Sequence, residues 1–171
     1  MTRITTARLL IRDVLPEDVD ANARLWCDAT VMRHMGGPRK REDIVARTPQ
    51  VALEQRASAT GIWVIEELAT SRVLGNCGLA KKTVDGIEEV ELVYLLFASD
   101  WGKGYATEAA GAVQEHAFRQ LRLPRVVALI DPLNTASERV AVRLGMRHIR
   151  DTVRGNGTLM RVYVSDAPPC H

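Results

Sequence analysis

Residues 92–109 read Leu92-Val93-Tyr94-Leu95-Leu96-Phe97-Ala98-Ser99-Asp100-Trp101-Gly102-Lys103-Gly104-Tyr105-Ala106-Thr107-Glu108-Ala109. An apolar, strand-like run ends at Phe97. A glycine turn follows, and an alanine-rich, helix-like run extends from Ala106 to Leu121. Gly102 and Gly104 allow close backbone approach and aim N–H groups at a ligand. The helix start adds unpaired N–H groups and the positive end of a dipole. The stretch therefore predicts a phosphate-bearing ligand held between a strand and a helix.

Upstream, Ile62–Glu67, Val73–Lys82 and Glu89–Phe97 read as three successive strands, with turns at Thr70-Ser71 and Gly86. An antiparallel meander is the economical arrangement. Before them, Arg8–Val14 reads as a first strand, and Pro16 opens a helix with Glu17 and Asp18 in its first turn. Val19, Ala23 and Trp26 give that helix an apolar stripe, and a second helix carries Ile44, Thr48, Val51 and Gln55 on one side, with Pro49 inside it. Downstream, Ala106, Ala110, Val113, Ala117 and Leu121 form one helical stripe, and Arg125–Ile130 suits a strand buried on both faces. A strand, a helix and a strand over residues 89–130 imply a parallel crossover. Thr135-Ala136-Ser137-Glu138 reads as a capping box, with Gly145 at the other end of its helix. His148–Val153 and Leu159–Val164 then form a hairpin around Gly155-Asn156-Gly157.

The 171 residues suit one mixed α/β domain over 1–171, with a core of about 7–165 and a frayed tail at 166–171. A net charge of +2 gives no footing for nucleic-acid binding. Cys27, Cys77 and Cys170 are odd in number and far apart, which suggests a reducing compartment. The histidines are scattered, so no metal site is expected. With no signal core and no apolar span, the expectation is a cytoplasmic protein that engages no membrane.

Three phosphate-binding patterns compete for the glycine turn. A P-loop fails, because no glycine precedes Gly102-Lys103 at the required spacing and Gly104 follows the lysine. A dinucleotide fingerprint fails at its third position, where Thr107 stands. The third is Arg/Gln-x-x-Gly-x-Gly/Ala, the pyrophosphate loop of the GNAT acetyltransferases, which Trp101-Gly102-Lys103-Gly104-Tyr105-Ala106 fits at its small-residue positions. The run Leu96–Ala109 resembles the RimJ/RimL-type ribosomal-protein branch of that superfamily. So do Arg8-Leu9-Leu10-Ile11-Arg12, Val31–Pro38 and Asn134-x2-Ser137-x6-Leu144-Gly145-Met146. Trp101 replaces the Arg or Gln of the loop pattern, a swap usual in this branch.

The resemblance implies a central, mostly antiparallel sheet of about seven strands. Its fourth and fifth strands form a parallel pair splayed around the cofactor, and about four helices flank the sheet. It implies acetyl-CoA as co-substrate and direct acetyl transfer to a primary amine, with a protein N-terminal amine as one acceptor. Acetylation of a small-molecule amine and a non-catalytic acyl-CoA-binding module are the alternatives. A homodimer is the expected assembly.

Glu91 is the expected base. It shares a strand face with Val93, Leu95 and Phe97, where apolar neighbours raise a carboxyl pKa, and it fills the acid position of the family pattern Glu-Ile-Gly-Tyr. The backbone of Leu96 and Phe97 is expected to pair with the pantetheine arm. Trp101, Gly102, Lys103, Gly104, Tyr105, Ala106 and Thr107 form the pyrophosphate cradle. The resemblance assigns Asn134 to holding the pantetheine or reacting group and Ser137 to protonating the departing thiolate. Many members use a tyrosine four residues after that serine, but Ala141 stands there. Arg139 and Arg143 are expected at the 3′-phosphate. Trp26, Arg33 and His34 fall where this superfamily builds its acceptor pocket.

Overall fold

The computed structural model describes residues 2–55 and 57–168; Cys170 and the end of the expected tail lie outside them. Eight strands form one mixed sheet: β1 (Arg3–Thr5), β2 (Leu9–Arg12), β3 (Ile62–Glu67), β4 (Val73–Val84), β5 (Ile87–Leu96), β6 (Arg125–Ile130), β7 (Arg147–Val153) and β8 (Leu159–Asp166). The helices are α1 (Val19–Trp26), α2 (Arg41–Glu54), α3 (Tyr105–Arg119) and α4 (Thr135–Arg143). The strand order is β1-β2-β3-β4-β5-β6-β8-β7. All neighbours are antiparallel except β5 and β6.

The sheet exceeds the expected seven strands by β1, which pairs with β2 from Arg3↔Arg12 to Thr5↔Leu10. Three residues are too few for an alternation to show. The parallel pair is consequently the fifth and sixth strands. Pro16 opens a short 3-10 turn before α1, and α1 buries Asn22, Ala23 and Leu25 while Trp26 stays half-buried. The helix α2 runs unbroken through Pro49.

β4 and β5 are joined by Asp85 and Gly86, both at positive φ (50° and 80°), the conformation that matches the twist of paired strands. The core forms on two faces. On one, Leu9, Ile11, Trp63, Leu79 and Leu92 pack against Ala109, Ala110, Val113 and Ala117 of α3. On the other, Leu25, Val31, Met32, Val93 and Leu95 form a second cluster with Trp26 and Phe97. Small residues along α3 bring the helix close to the sheet, which fixes its N-terminus beside the end of β5. Among the described residues no helix is long and apolar enough to cross a membrane.

Candidate active site

β5 and β6 share a single register pair, Glu91↔Val127. Beyond that point the strands part, and a cavity of about 620 Å³ opens between β5, the start of α3, the start of α4 and the Val31–Met35 segment. The volume suits an extended small ligand. Its lining brings together two distant stretches of the expected site: Leu96, Trp101, Gly102, Gly104, Tyr105, Ala106 and Thr107 from one, and Asn134, Ser137 and Arg139 from the other. All ten were singled out in the sequence. Phe97, Lys103 and Glu91 do not line it.

Backbone alternation explains the absence of Phe97. Its N–H donates to the Leu74 carbonyl at 3.0 Å, so residue 97 faces β4. In an antiparallel pair the next residue faces the other way. Tyr94 and Leu96 therefore turn their backbone groups toward the gap left by β6. The Leu96 carbonyl is taken by the indole N–H of Trp101 at 2.9 Å. Trp101 thus braces the end of β5 against the glycine turn while remaining half exposed. The open edge runs through Tyr94 and Leu96, one residue earlier than the expected Leu96 and Phe97.

Gly102 and Gly104 both sit at positive φ, 77° and 83°, and Gly104 is the N-cap of α3. A residue with a Cβ is strained in that region, which is why the turn needs glycine. The first helical bond out of the turn runs from Glu108 N–H to Gly104 C=O at 3.1 Å. The N–H groups of Tyr105, Ala106 and Thr107 precede that bond, and all three residues line the cavity. The turn is held from behind. Arg8 pairs with Glu108 at 2.6 Å, donates to the Lys103 carbonyl at 3.1 Å and stacks on Tyr105 at 4.5 Å. The Tyr105 hydroxyl donates to Glu67 at 2.5 Å.

Lys103 is held away from the cavity. Its ammonium lies 2.9 Å from Asp100, a buried carboxylate that also takes two hydrogen bonds from Arg72, both 2.8 Å. The Arg72 guanidinium holds the Asp100 carboxyl well below the usual carboxylate range. Lys103 is therefore a brace for the loop. Arg139 and Arg143 do line the cavity, both exposed at its rim.

Opposite the loop, α4 begins differently from the capping box read in the sequence. Asn134 is the N-cap, and its side-chain oxygen accepts the Ser137 N–H at 3.1 Å. Glu138 does not reach back; it accepts from Arg161 and from the Tyr163 hydroxyl. Tyr94 crosses the split and donates its hydroxyl to the Ser137 carbonyl at 2.9 Å. Burial pushes the Tyr94 phenol up, so it stays a neutral donor. Ala141 is fully buried, and its side of the helix packs into the core.

Glu91 sits at the apex of the split, 5% exposed. Burial pushes its carboxyl up; the cations of Lys82 and Arg154, each 3.9 Å away, offset only part of that cost. The carboxylate stands behind the cavity wall. His34 lies on the cavity wall, and its Nδ1 is 2.8 Å from Asp131 Oδ2. Burial alone would raise the Asp131 carboxyl, but the His34 hydrogen bond, the Leu133 N–H and the nearby charges of His34 and Arg154 together hold it low. Arg154 thus bears on both Glu91 and Asp131.

The sequence carries no signal for the partner of His34, which lies 97 residues away. The Asp100–Arg72 clamp and the Arg8–Glu108 pair were likewise invisible, because each joins elements that become neighbours only in the folded sheet. Arg8 stood in a quoted motif, and the acid at Asp100, three residues before Lys103, is the one local hint of the clamp.

The chain is similar in sequence and fold to known acetyltransferases. Residues 8–147 match the model of the acetyltransferase (GNAT) domain. An uncharacterized N-acetyltransferase p20 of Bacillus licheniformis is 29% identical, covering 96% of this chain and 94% of its own. The crystal structure of an acetyltransferase from Agrobacterium tumefaciens superposes with a TM-score of 0.82 at 26% identity, over 96% of this chain and 94% of that one. RimL, a ribosomal alpha-N-protein acetyltransferase solved with coenzyme A, shares the fold with a TM-score of 0.78 at 18% identity, over 97% and 98% of the two chains.

Proposed function

We propose that this chain, which belongs to the GNAT acetyltransferase family and is an acetyl-CoA-dependent N-acetyltransferase, has its active site in the β5–β6 split and takes as acceptor a primary amine of the kind met at a protein N-terminus. The observation that carries this reading is the convergence of three features on one cavity. These are the open N–H groups of the Gly102–Thr107 turn, the backbone edge at Tyr94 and the Leu96 N–H, and the Asn134–Ser137 helix start.

The residues fit the donor. The turn and the start of α3 offer N–H groups to a pyrophosphate. Arg139 and Arg143 at the rim offer cations to a further phosphate. The Tyr94–Leu96 edge offers backbone partners to an extended amide-bearing arm, and a backbone N–H there polarises the thioester oxygen. Acetyl-CoA supplies an acyl group on a good leaving thiol, so no covalent enzyme intermediate is required. Asn134 orients the helix start, and Ser137 stands beside it to give a proton to the departing thiolate. Two groups compete for the ammonium proton: Glu91, reached through water from the apex, and His34 on the cavity wall.

The likeness of Arg8–Arg12, Val31–Pro38 and the Asn134–Met146 segment to the RimJ/RimL type supports a protein N-terminal acceptor. Acetylation of a small amine is the other reading. Calorimetry with acetyl-CoA and ATP side by side tests the donor assignment. Acetyl-CoA should bind, and Gly104→Ala should weaken it about tenfold, because φ of +83° strains any Cβ by about 1–2 kcal/mol. Binding of ATP in preference to acetyl-CoA would overturn the reading.

A further inference from the structure

We propose that His34, held by Asp131, takes the ammonium proton of the acceptor amine. The proposal rests on the acetyl-transfer reading above and names the group that touches the acceptor. His34 comes from the segment after α1, and Asp131 directly follows β6. They meet where β6 has separated from β5, across the mouth that leads to the Tyr94–Leu96 edge. Both side chains are partly buried, 24% and 18% exposed, so the pair is neither a free surface contact nor sealed from the cavity.

The geometry fixes which nitrogen works. An ionised Asp131 carboxylate only accepts, so Nδ1 carries the hydrogen of a neutral His34 and Nε2 keeps its lone pair. Among the described residues the one hydrogen bond of His34 is through Nδ1. Nε2 is thereby left for a ligand. This is the arrangement in which a carboxylate orients an imidazole and stabilises the imidazolium that forms. Histidine also changes charge near neutral pH, where an amine must be unmasked.

Glu91 is less suited to touching the amine. It lies behind the wall with its charge shared between Lys82 and Arg154. Its place in this account is indirect: it anchors Arg154, and Arg154 bears on Asp131. The other charged or titratable groups sharing the cavity with His34 are Arg33 beside it, Asp100 and Tyr105 of the loop region, Tyr94 of β5, and Arg139 and Arg143 of α4. Asp100 is already committed to Arg72 and Lys103, and the Tyr94 hydroxyl to Ser137. His34 is the wall group left with an open proton-accepting atom.

The step balances. The ammonium gives one proton to His34 Nε2, and the freed lone pair forms the C–N bond to the thioester carbon. The C–S bond breaks, its electron pair leaves with sulfur, the Ser137 hydroxyl protonates the sulfur, and the second proton lost by the attacking nitrogen restores the hydroxyl. The imidazolium then returns its proton to solvent.

The test measures kcat/KM against pH by thiol release, using an unblocked alanyl peptide, a polyamine and an aminoglycoside as acceptors. His34→Gln should lose about 100-fold near neutral pH, the usual size of a lost general base, with acetyl-CoA affinity within threefold of wild type. Its acid limb should move to the titration of the amine itself. Asp131→Asn should lower kcat/KM with acetyl-CoA affinity kept, because the carboxylate that fixes the His34 tautomer and ring orientation is gone. Added imidazole should restore part of the rate to His34→Ala, which a merely structural histidine would not allow. His34 variants that keep the wild-type rate, or lose rate with the acid limb unmoved and no imidazole rescue, overturn the inference alone. A wild-type protein that binds acetyl-CoA and acetylates none of the three acceptors overturns the acetyl-transfer reading and this inference with it.

Discussion

The hydroxyl of Tyr94 on β5 donates to the backbone carbonyl of Ser137 on α4 at 2.9 Å, and so ties together the two walls of a split sheet. Parallel strands that part leave their ends without ladder bonds, and this contact is what spans the gap. Tyr94→Phe keeps the packing and removes the tie. It should cost about 1 kcal/mol of stability in urea denaturation and weaken acetyl-CoA binding several-fold by calorimetry. An unchanged affinity would mean that the walls are set by their own elements.

Asn134 and Ser137 separate structural from chemical roles. Asn134→Ala removes a helix cap and should cost about 1 kcal/mol, with weaker acetyl-CoA binding. Ser137→Ala leaves the cap intact, because Asn134 accepts from the backbone N–H of residue 137. It should therefore keep acetyl-CoA affinity and lower kcat at least about tenfold if its hydroxyl serves the thiolate. Full kcat in Ser137→Ala would show that the thiolate leaves without a protein acid.

Asp100 predicts an acid-side loss of stability. Its carboxyl is held below the ordinary value by Arg72 and then Lys103. A depressed carboxyl contributes stability that is present above its unfolded pKa and is lost as pH falls toward its folded one. Asp100→Asn removes that contribution. It should cost about 1–3 kcal/mol near neutral pH, less than a sealed pair because both cations are half exposed. Thermal melts should show the gap to wild type closing as pH drops below about 4. A gap independent of pH would deny the ion pair its role.

Glu91 predicts the opposite sign. Its carboxyl is raised by burial, so the charged form costs stability once pH climbs above the ordinary glutamate value of 4.5. Glu91→Gln should gain stability relative to wild type as pH rises from that value, and show no such gain below it. Its kcat/KM should fall modestly through the loss of the Arg154 anchor, with the acid limb of the profile kept. A flattened acid limb in this variant would make Glu91 the base.

The sequence made most of the sheet and the donor side readable for a local reason. Phosphate cradling needs closely spaced glycines and a helix start, which are contiguous at Trp101–Thr107, and β4 and β5 declare themselves as apolar runs marked off by the turns at Thr70-Ser71 and Gly86. Asn134 and Ser137 are legible through the resemblance carried by Asn134-x2-Ser137, and the structure makes Asn134 the cap of their helix. What stayed hidden depends on contacts made only after folding. Lys103 looked like a phosphate ligand until Arg72 and Lys103 were seen to share Asp100. Phe97 looked like an edge residue until its N–H was found on Leu74. His34 has no partner visible in the sequence, because β6 carries Asp131 to it only in the folded sheet. Three-residue β1 carries too little pattern for any periodicity to register.

The most direct test of acetyl transfer to an amine in the β5–β6 split is mass analysis of an unblocked peptide incubated with acetyl-CoA and the protein, with thiol release followed in the same tube. The account predicts amine-dependent thiol release matched one for one by N-acetyl product, reduced in step by Gly104→Ala. Acetyl-CoA binding with no release above that seen without amine, across peptide, polyamine and aminoglycoside alike, would contradict it.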